Sequence, residues 1–281
     1  MPQPTSTTSL KPLAAGNVVT AAIQLFRSHF QQYTKLTLRA YLWILVPIYG
    51  WAKFLMISAM ISRLAFGDLI GKPESEAEAR AQLEDKKWEF LGLAILVGII
   101  TFLVFIVFYI ALIVFFLIGI GFVSVLGQEN LILIGLMILL GIFTVFIFIA
   151  ALTWIFSRLI IVELPLAIET PMDVSNSIKR SWNLTKGYVL RLQGIILIAF
   201  LITLPLQIVV QTLAFAARIF LGRFMDEESA TFALASFVIS YIIGIGSSLF
   251  VVPFWQAVKA VIYYDVRSRS EGLGIEIRDR A

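Results

Sequence analysis

Four charged side chains stand where the chain is otherwise apolar: Lys53, Glu129, Arg158 and Lys259. Charge in hydrocarbon is costly, so each is a candidate for an ion path, a proton relay or a buried pair. A transport route would rest on Lys53, Arg158 and Lys259, and it would lack the midplane acids common in proton-coupled carriers. Lys259 stands eight residues before Arg267, about 12 Å along a helix, so it can also snorkel to a surface. Arg158 and Glu163 are five positions apart, outside the three- and four-residue spacings that pair on a helix.

Other chemistry has little to build on. The chain has no cysteine and one histidine, His29. That removes disulfides, thiolate nucleophiles and thiolate metal sites. Metal ligation needs convergent Asp, Glu or His, and the acids here lie in loops without that spacing. A nucleophilic Ser181 or Ser247 would have only Lys259 as a base. No glycine-rich loop opens a phosphate-binding helix. The expectation is a protein with no catalytic, cofactor or metal site.

The elements that carry these residues are set by hydropathy. From Phe90 to Ser157, 68 residues contain one charge, Glu129. Such a run suits lipid, where helices satisfy their own backbone hydrogen bonds. Hydrophobic residues make up 59% of the chain and charged residues 14%, against about 25% charged in a soluble protein. The mean hydropathy of +0.92 agrees. The net charge is +4. In a chain this apolar, a basic excess reads as loops facing anionic head groups rather than as a nucleic-acid surface.

Residues 1–16 read as a disordered tail with no signal-peptide pattern. A single membrane domain covers 17–265, and 266–281 reads as a charged cytoplasmic tail. Within the domain, 17–35 reads as an amphipathic helix. Val19, Ile23, Phe26 and Phe30 share one face, with Gln24, Arg27, Gln31 and Lys35 largely away from it. Such a helix either lies in the membrane interface or docks on the bundle. Residues 40–62 read as a first span, with Trp43 and Trp51 as interface or packing residues and Pro47 as a kink. Residues 67–89 form a hydrophilic loop with seven acids and four bases, in which Glu76 precedes Arg80 by one helical turn. Residues 170–186 read as a second amphipathic helix. Thr170 with Asp173 makes its capping signature, Pro171 suits its first turn, and Gly187 stops it. Val174, Ile178 and Trp182 recur along it at one-turn intervals. Two more spans follow near 192–216, kinked at Pro205, and 232–262. The second has the small residues Gly244, Gly246, Ser247 and Ser248 in its middle.

Charge then sets topology. The first 39 residues carry four bases and no acid. Placing them inside with 170–191 and the tail satisfies the positive-inside rule. The acidic 67–89 loop and the 217–230 turn then lie outside. An odd number of crossings must join residue 89 to residue 165. One cannot absorb so many apolar residues, so three are expected. The best turn is Gln128-Glu129-Asn130, with Gly119, Gly121 and Gly141 as weaker alternatives. The fold class is therefore all-α: a polytopic helical membrane bundle of six transmembrane helices, plus two cytoplasmic amphipathic interfacial helices. Five spans, with two long tilted helices between 90 and 165, are the alternative.

Two segments are distinctive together, ELPLAIETPMDVSNSIKRSWNLTKGYVLRL and AVIYYDVRSRSEGLGIEI. They resemble the bacterial family known as the membrane domain of glycerophosphoryl diester phosphodiesterase, and related inner-membrane proteins. In the first segment Glu169, Lys179, Arg180, Ser181, Trp182, Leu184, Thr185 and Gly187 match the family pattern. In the second, Tyr264, Asp265, Arg267, Glu271 and Gly272 match. The resemblance implies a helical membrane bundle with cytoplasmic termini, in some members fused to a catalytic barrel. That barrel resembles a paired-histidine site with metal-binding carboxylates. With only His29 here, the activity is not carried over.

The functional expectation follows from the two amphipathic helices. They would form a cytoplasmic platform contacting lipid head groups or another membrane protein through Arg27, Lys35, Lys179, Arg180, Trp182 and Lys186. The protein would be a non-enzymatic scaffold, assembly factor or lipid-organising component of a bacterial inner or internal membrane. The alternative is a small-molecule or lipid transporter or channel.

Overall fold

The computed structural model describes residues 15–126 and 131–271, and the regular elements among them are all helices. They are α1 (Ala15–Ser28), α2 (Phe30–Ile44), α3 (Tyr49–Leu69), α4 (Glu76–Leu83), α5 (Lys87–Leu126), α6 (Leu131–Leu159), α7 (Glu163–Ile168), α8 (Val174–Leu184), α9 (Val189–Gly222) and α10 (Ala230–Glu271). Among the described residues four helices, α5, α6, α9 and α10, are long and apolar enough to cross a membrane. The 40 residues of α5 extend about 60 Å, against a hydrocarbon thickness of about 30 Å.

The shorter helices gather at one end of these four shafts and form a cap. There the core is protein-filled. Val18 and Ala22 of α1, Leu36 of α2, Met60 and Ile61 of α3, Leu164 and Leu166 of α7, Ile195 of α9 and Val261 of α10 are all fully buried. Beyond the cap the shafts turn large apolar side chains outward, among them Phe102, Tyr109, Phe116, Phe146, Phe215 and Phe237. Continuous exposed apolar surface on this scale fits a lipid environment.

Where six crossings are expected, four helices among the described residues are long and apolar enough to make one. Residues 90–165 supply two long helices, α5 and α6, not three, and the expected Gln128-Glu129-Asn130 turn falls in sequence between them, outside the described residues. Glu129 itself, with residues 1–14 and Gly272, lies outside the described residues. Gly119, Gly121 and Gly141, weighed as alternative turns, all lie inside helices, and two of them serve packing. A Cβ at Gly119 would collide with Met137, and Gly141 packs against the ring of Phe115. α5 runs out from the cap and α6 returns to it, so residues 89 and 165 lie at the same end of the bundle. This corrects the placement of the acidic 67–89 loop opposite the basic 170–191 segment. Lys86 Nζ donates to the Leu166 carbonyl at 3.3 Å, so the acidic loop meets the chain leading into that segment within the cap.

The expected span at 40–62 is the other loss. The chain reverses between α2 and α3, where Ile48 adopts φ 63° just after Pro47. Gly50 permits the reversal, because a Cβ there would overlap the Trp43 carbonyl. α3 is then enclosed by protein: residues 56–67 are buried without interruption. Its start meets the α4–α5 junction, where the rings of Tyr49 and Trp88 lie 6.1 Å apart. Its middle crosses α10, where Ser62 Oγ donates to Gln256 Oε1 at 2.6 Å. Its end meets α2, where the Tyr33 hydroxyl donates to Asp68 at 3.3 Å.

The two amphipathic helices dock on the bundle. The expected 17–35 helix breaks at His29, and α1 packs on α9 and α10. Phe26 meets Phe254 edge-on at 6.3 Å. The second helix starts at Asp173, whose side chain accepts from the Asn176 amide at 2.7 Å. The cap is thus Asp173 and not Thr170, and Pro171 lies ahead of the helix. α8 ends at Leu184, and Gly187, at φ 85°, supplies the left-handed residue of the turn that leads on to α9. α4 carries a full capping box between Ser75 and Glu78, and its Glu76–Arg80 pair forms at 3.3 Å. α10 runs on through Pro253 to Glu271, past the expected end near 262. Gly244 and Gly246 meet nothing within 4 Å, so they do not provide a close helix approach within the chain.

Candidate functional site

The cap brings the two distinctive segments together at Glu169. Glu169 lies at the C-terminal end of α7, and Arg180 projects from α8. Arg180 donates to Glu169 Oε1 and Oε2 from Nε, and to Oε1 from Nη2, all at 3.1 Å. The Tyr263 hydroxyl of α10 also donates to Glu169. Arg180 pairs in turn with Glu271, and Arg267 Nε donates to Glu271 at 3.0 Å. Arg267 also stands over the Tyr263 ring, 5.5 Å from its centroid. Forked Arg–carboxylate contacts of this kind fix geometry as well as charge. They lock α7, α8 and the end of α10 into one unit. The tyrosine that reaches Glu169 is Tyr263, not the matched Tyr264.

A second set of contacts centres on Asp265, which is 1% exposed. Arg191 Nε donates to it at 3.0 Å and Arg269 Nε at 3.1 Å. A buried carboxylate needs such partners. This one ties the start of α9 to α10.

Arg158 lies beside both Trp154 and Trp182, 5.3 and 4.9 Å from the ring centroids. Its Nη1 donates to the Trp182 carbonyl at 2.9 Å. The Ser181 hydroxyl returns a bond to the Arg158 carbonyl at 2.7 Å. Cation–π contact and backbone bonds together hold α8 on the end of α6. Trp182 and Ser181 therefore serve inside the cap rather than on an outer face.

Lys53 and Lys259 also have partners. Lys53 pairs with Glu84 on the cap, so it is not a free cation within a span. The hydrogen bond from Lys53 is the largest cause of a Glu84 carboxyl held below its usual range, and Lys87 adds to it against the opposing effect of burial. Arg63, buried in α3, donates to Glu74 at 2.7 and 2.8 Å and also reaches the Ala167 carbonyl. His29 Nδ1 lies 3.5 Å from Asp68. Burial and then Asp68 push the Tyr33 hydroxyl well above its ordinary range. Lys259 Nζ donates to Glu163 at 3.0 Å. That pair, 96 residues apart in sequence, replaces both the Arg158–Glu163 comparison and the snorkelling Lys259. Arg27, Lys35, Lys179 and Lys186 are exposed.

One cavity borders this framework. It holds about 390 Å³ between α3, α5, the α6–α7 junction and α10, and Glu163 and Lys259 are its charged lining residues. Among the described residues no three of His, Asp and Glu gather as a metal site. Sequence reasoning missed Arg63, Arg191 and Tyr263. All three owe their roles to which helices meet, through contacts 74 to 104 residues apart in sequence.

No family model matches the chain, and neither does any curated protein or solved structure. Fold and site together define an all-α protein with four helices fit to cross a membrane and a polar, ion-paired cap at one end.

Proposed function

We propose that the protein is a non-enzymatic membrane component, a scaffold, assembly factor or lipid organiser, whose rigid cap faces the cytoplasm of a bacterial inner membrane. One observation carries this reading. Glu169, Arg180, Arg267 and Glu271, with Tyr263, satisfy one another in the chain Tyr263–Glu169–Arg180–Glu271–Arg267, apart from the cavity at Glu163 and Lys259. Such a network favours holding a surface in shape over acting on a substrate.

The surface it would present is basic. Lys179 and Lys186 on and just after α8, and Arg27 and Lys35 on α1 and α2, point into solvent. They suit lipid head groups or an acidic face of another membrane protein. Arg180 and Trp182 leave this set, since both face inward. The transporter alternative draws less support, because Lys53, Arg158 and Lys259 sit in separate settings with separate partners.

The test reverses charge outside the network. K179E with K186E, purified in mild detergent, should lose co-purifying anionic lipid or a membrane partner, read by mass spectrometry, with an unchanged unfolding temperature. Unchanged lipid and protein composition would remove the basis of the proposal.

A further inference from the structure

The Glu163–Lys259 pair stands in the wall of an apolar cavity rather than on the outer surface of the cap. The two side chains keep 17% and 22% exposure. Around them lie Leu55, Phe90, Ala94, Val97 and Trp255, with no third charge among the lining residues. Two further hollows follow along α5, each sharing wall residues with the one before. Val97, Phe156 and Leu159 also line a second hollow of about 330 Å³ between α5 and α6. Val104 and Ile155 join that hollow to a third, of about 470 Å³, which reaches Ala111.

The groove walls are apolar in function as well as in composition. Thr101, Thr144 and Thr153 each donate, at 2.9 Å, to a carbonyl four residues earlier in their own helix. Their hydroxyl protons are thus used locally. From Leu93 to Ala111 the groove runs about 27 Å along α5, close to the roughly 30 Å of bilayer hydrocarbon. A site with both signs of charge at one end and only hydrocarbon beyond matches an amphiphile, not a polar solute.

We infer that this groove holds one membrane phospholipid with a zwitterionic head, its chains lying between α5 and α6 and its head at Glu163 and Lys259. Charge complementarity selects the head. A purely anionic head would draw Lys259 away from Glu163 and leave a largely buried carboxylate unpaired. An uncharged head would gain nothing from the pair. A phosphate accepting from Lys259, with a primary ammonium donating to Glu163, keeps every charge matched. A quaternary ammonium cannot donate and fits less well. The inference stands on residues separate from the basic outer surface of the cap, so either can fail alone.

The test uses the full protein in nanodiscs of mixed phosphatidylethanolamine and phosphatidylglycerol. Each head group is offered in turn as a trace lipid with a photoactivatable diazirine in its acyl chain. Phosphatidylethanolamine should label peptides spanning 97–111 and 147–156 at least about tenfold more than phosphatidylglycerol, the ratio expected for one charge-assisted contact. E163Q should abolish that preference. K259M should lower the phosphatidylethanolamine labelling by about the same factor. Ala94→Phe fills the cavity and leaves the pair intact, so it decides the matter if the charge variants do not fold. It should cut labelling of 97–111 while the unfolding temperature holds. Equal labelling by the two lipids, or labelling indifferent to Ala94→Phe, would overturn the inference.

Discussion

Arg180 grips Glu169 with Nε and Nη2 across an 11-residue separation, at 3.1 Å for each contact. The loop between them contains the break from α7 to α8, so the pair sets the angle at which α8 leaves the bundle. Tyr263 and Glu271 of α10 close the set from the other side. R180M should therefore lower the unfolding temperature in detergent, by a loss of about 1–3 kcal/mol. The range stays modest because the two side chains are 29% and 19% exposed and partly screened. The exchanged pair, E169R with R180E, should not recover, since a guanidinium in place of the Glu169 carboxylate cannot accept from Tyr263. Recovery to wild-type stability would show that Tyr263 adds nothing.

Glu84 makes the cap sensitive to acid. Its carboxyl is held below the ordinary range, first by the hydrogen bond from Lys53 and more weakly by Lys87. A depressed carboxyl contributes stability that is complete above the unfolded value of about 4.3 and is lost as pH falls through the folded value. K53M should flatten this part of the profile. Unfolding temperatures of the two proteins, compared from pH 7 down to pH 3, should differ most at neutral pH and converge in acid. Parallel profiles would mean that the pair does not contribute.

Trp182 should matter for packing. Its ring meets Trp154 edge-on at 5.2 Å and lies under Arg158. W182A should cost about 2–4 kcal/mol, near the low end for aromatic truncation because the ring is half-buried. It should also remove a near-ultraviolet circular dichroism signal from the coupled indoles. A near-wild-type unfolding temperature would place Trp182 on an outer face after all.

The α2–α3 turn presents Leu45, Val46, Ile48 and Trp51 to the outside, 70%, 44%, 59% and 48% exposed. Apolar tips of this kind suit the membrane interface, with tryptophan at its boundary. L45K with I48K should leave the fold intact and reduce quenching of tryptophan fluorescence by brominated lipid chains. Unchanged quenching would put the tip in water or against protein.

Much of this fold is legible in the chain, and the gaps have physical causes. The apolar run from Phe90 points to lipid-compatible helices because hydropathy acts locally. The Asp173 capping signal and the Glu76–Arg80 pair are local for the same reason. The number of crossings is not legible in this way. Loop charge implies six, but the acids of 67–89 do not stand apart from the basic segments; they pair with residues of the cap, as Glu74 does with Arg63. The 40–62 run looks like a span because a helix buried in protein is as apolar as one buried in lipid; α3 is the former. The two distinctive segments are visible, but their meeting at Glu169 is not. That contact joins residues 94 apart and follows only from the packing of α7 against α10.

The central claim is a four-helix span with one polar cap, and single-cysteine labelling tests it most directly. The chain has no cysteine of its own, so each introduced thiol reports alone. Ala77→Cys on α4, Lys179→Cys on α8 and Glu228→Cys at the α9–α10 turn replace exposed residues. A membrane-impermeant maleimide, applied to vesicles of each orientation, should label Ala77→Cys and Lys179→Cys from the same side and Glu228→Cys from the other. Labelling of Ala77→Cys together with Glu228→Cys, opposite Lys179→Cys, would restore three crossings between residues 90 and 165 and contradict the account.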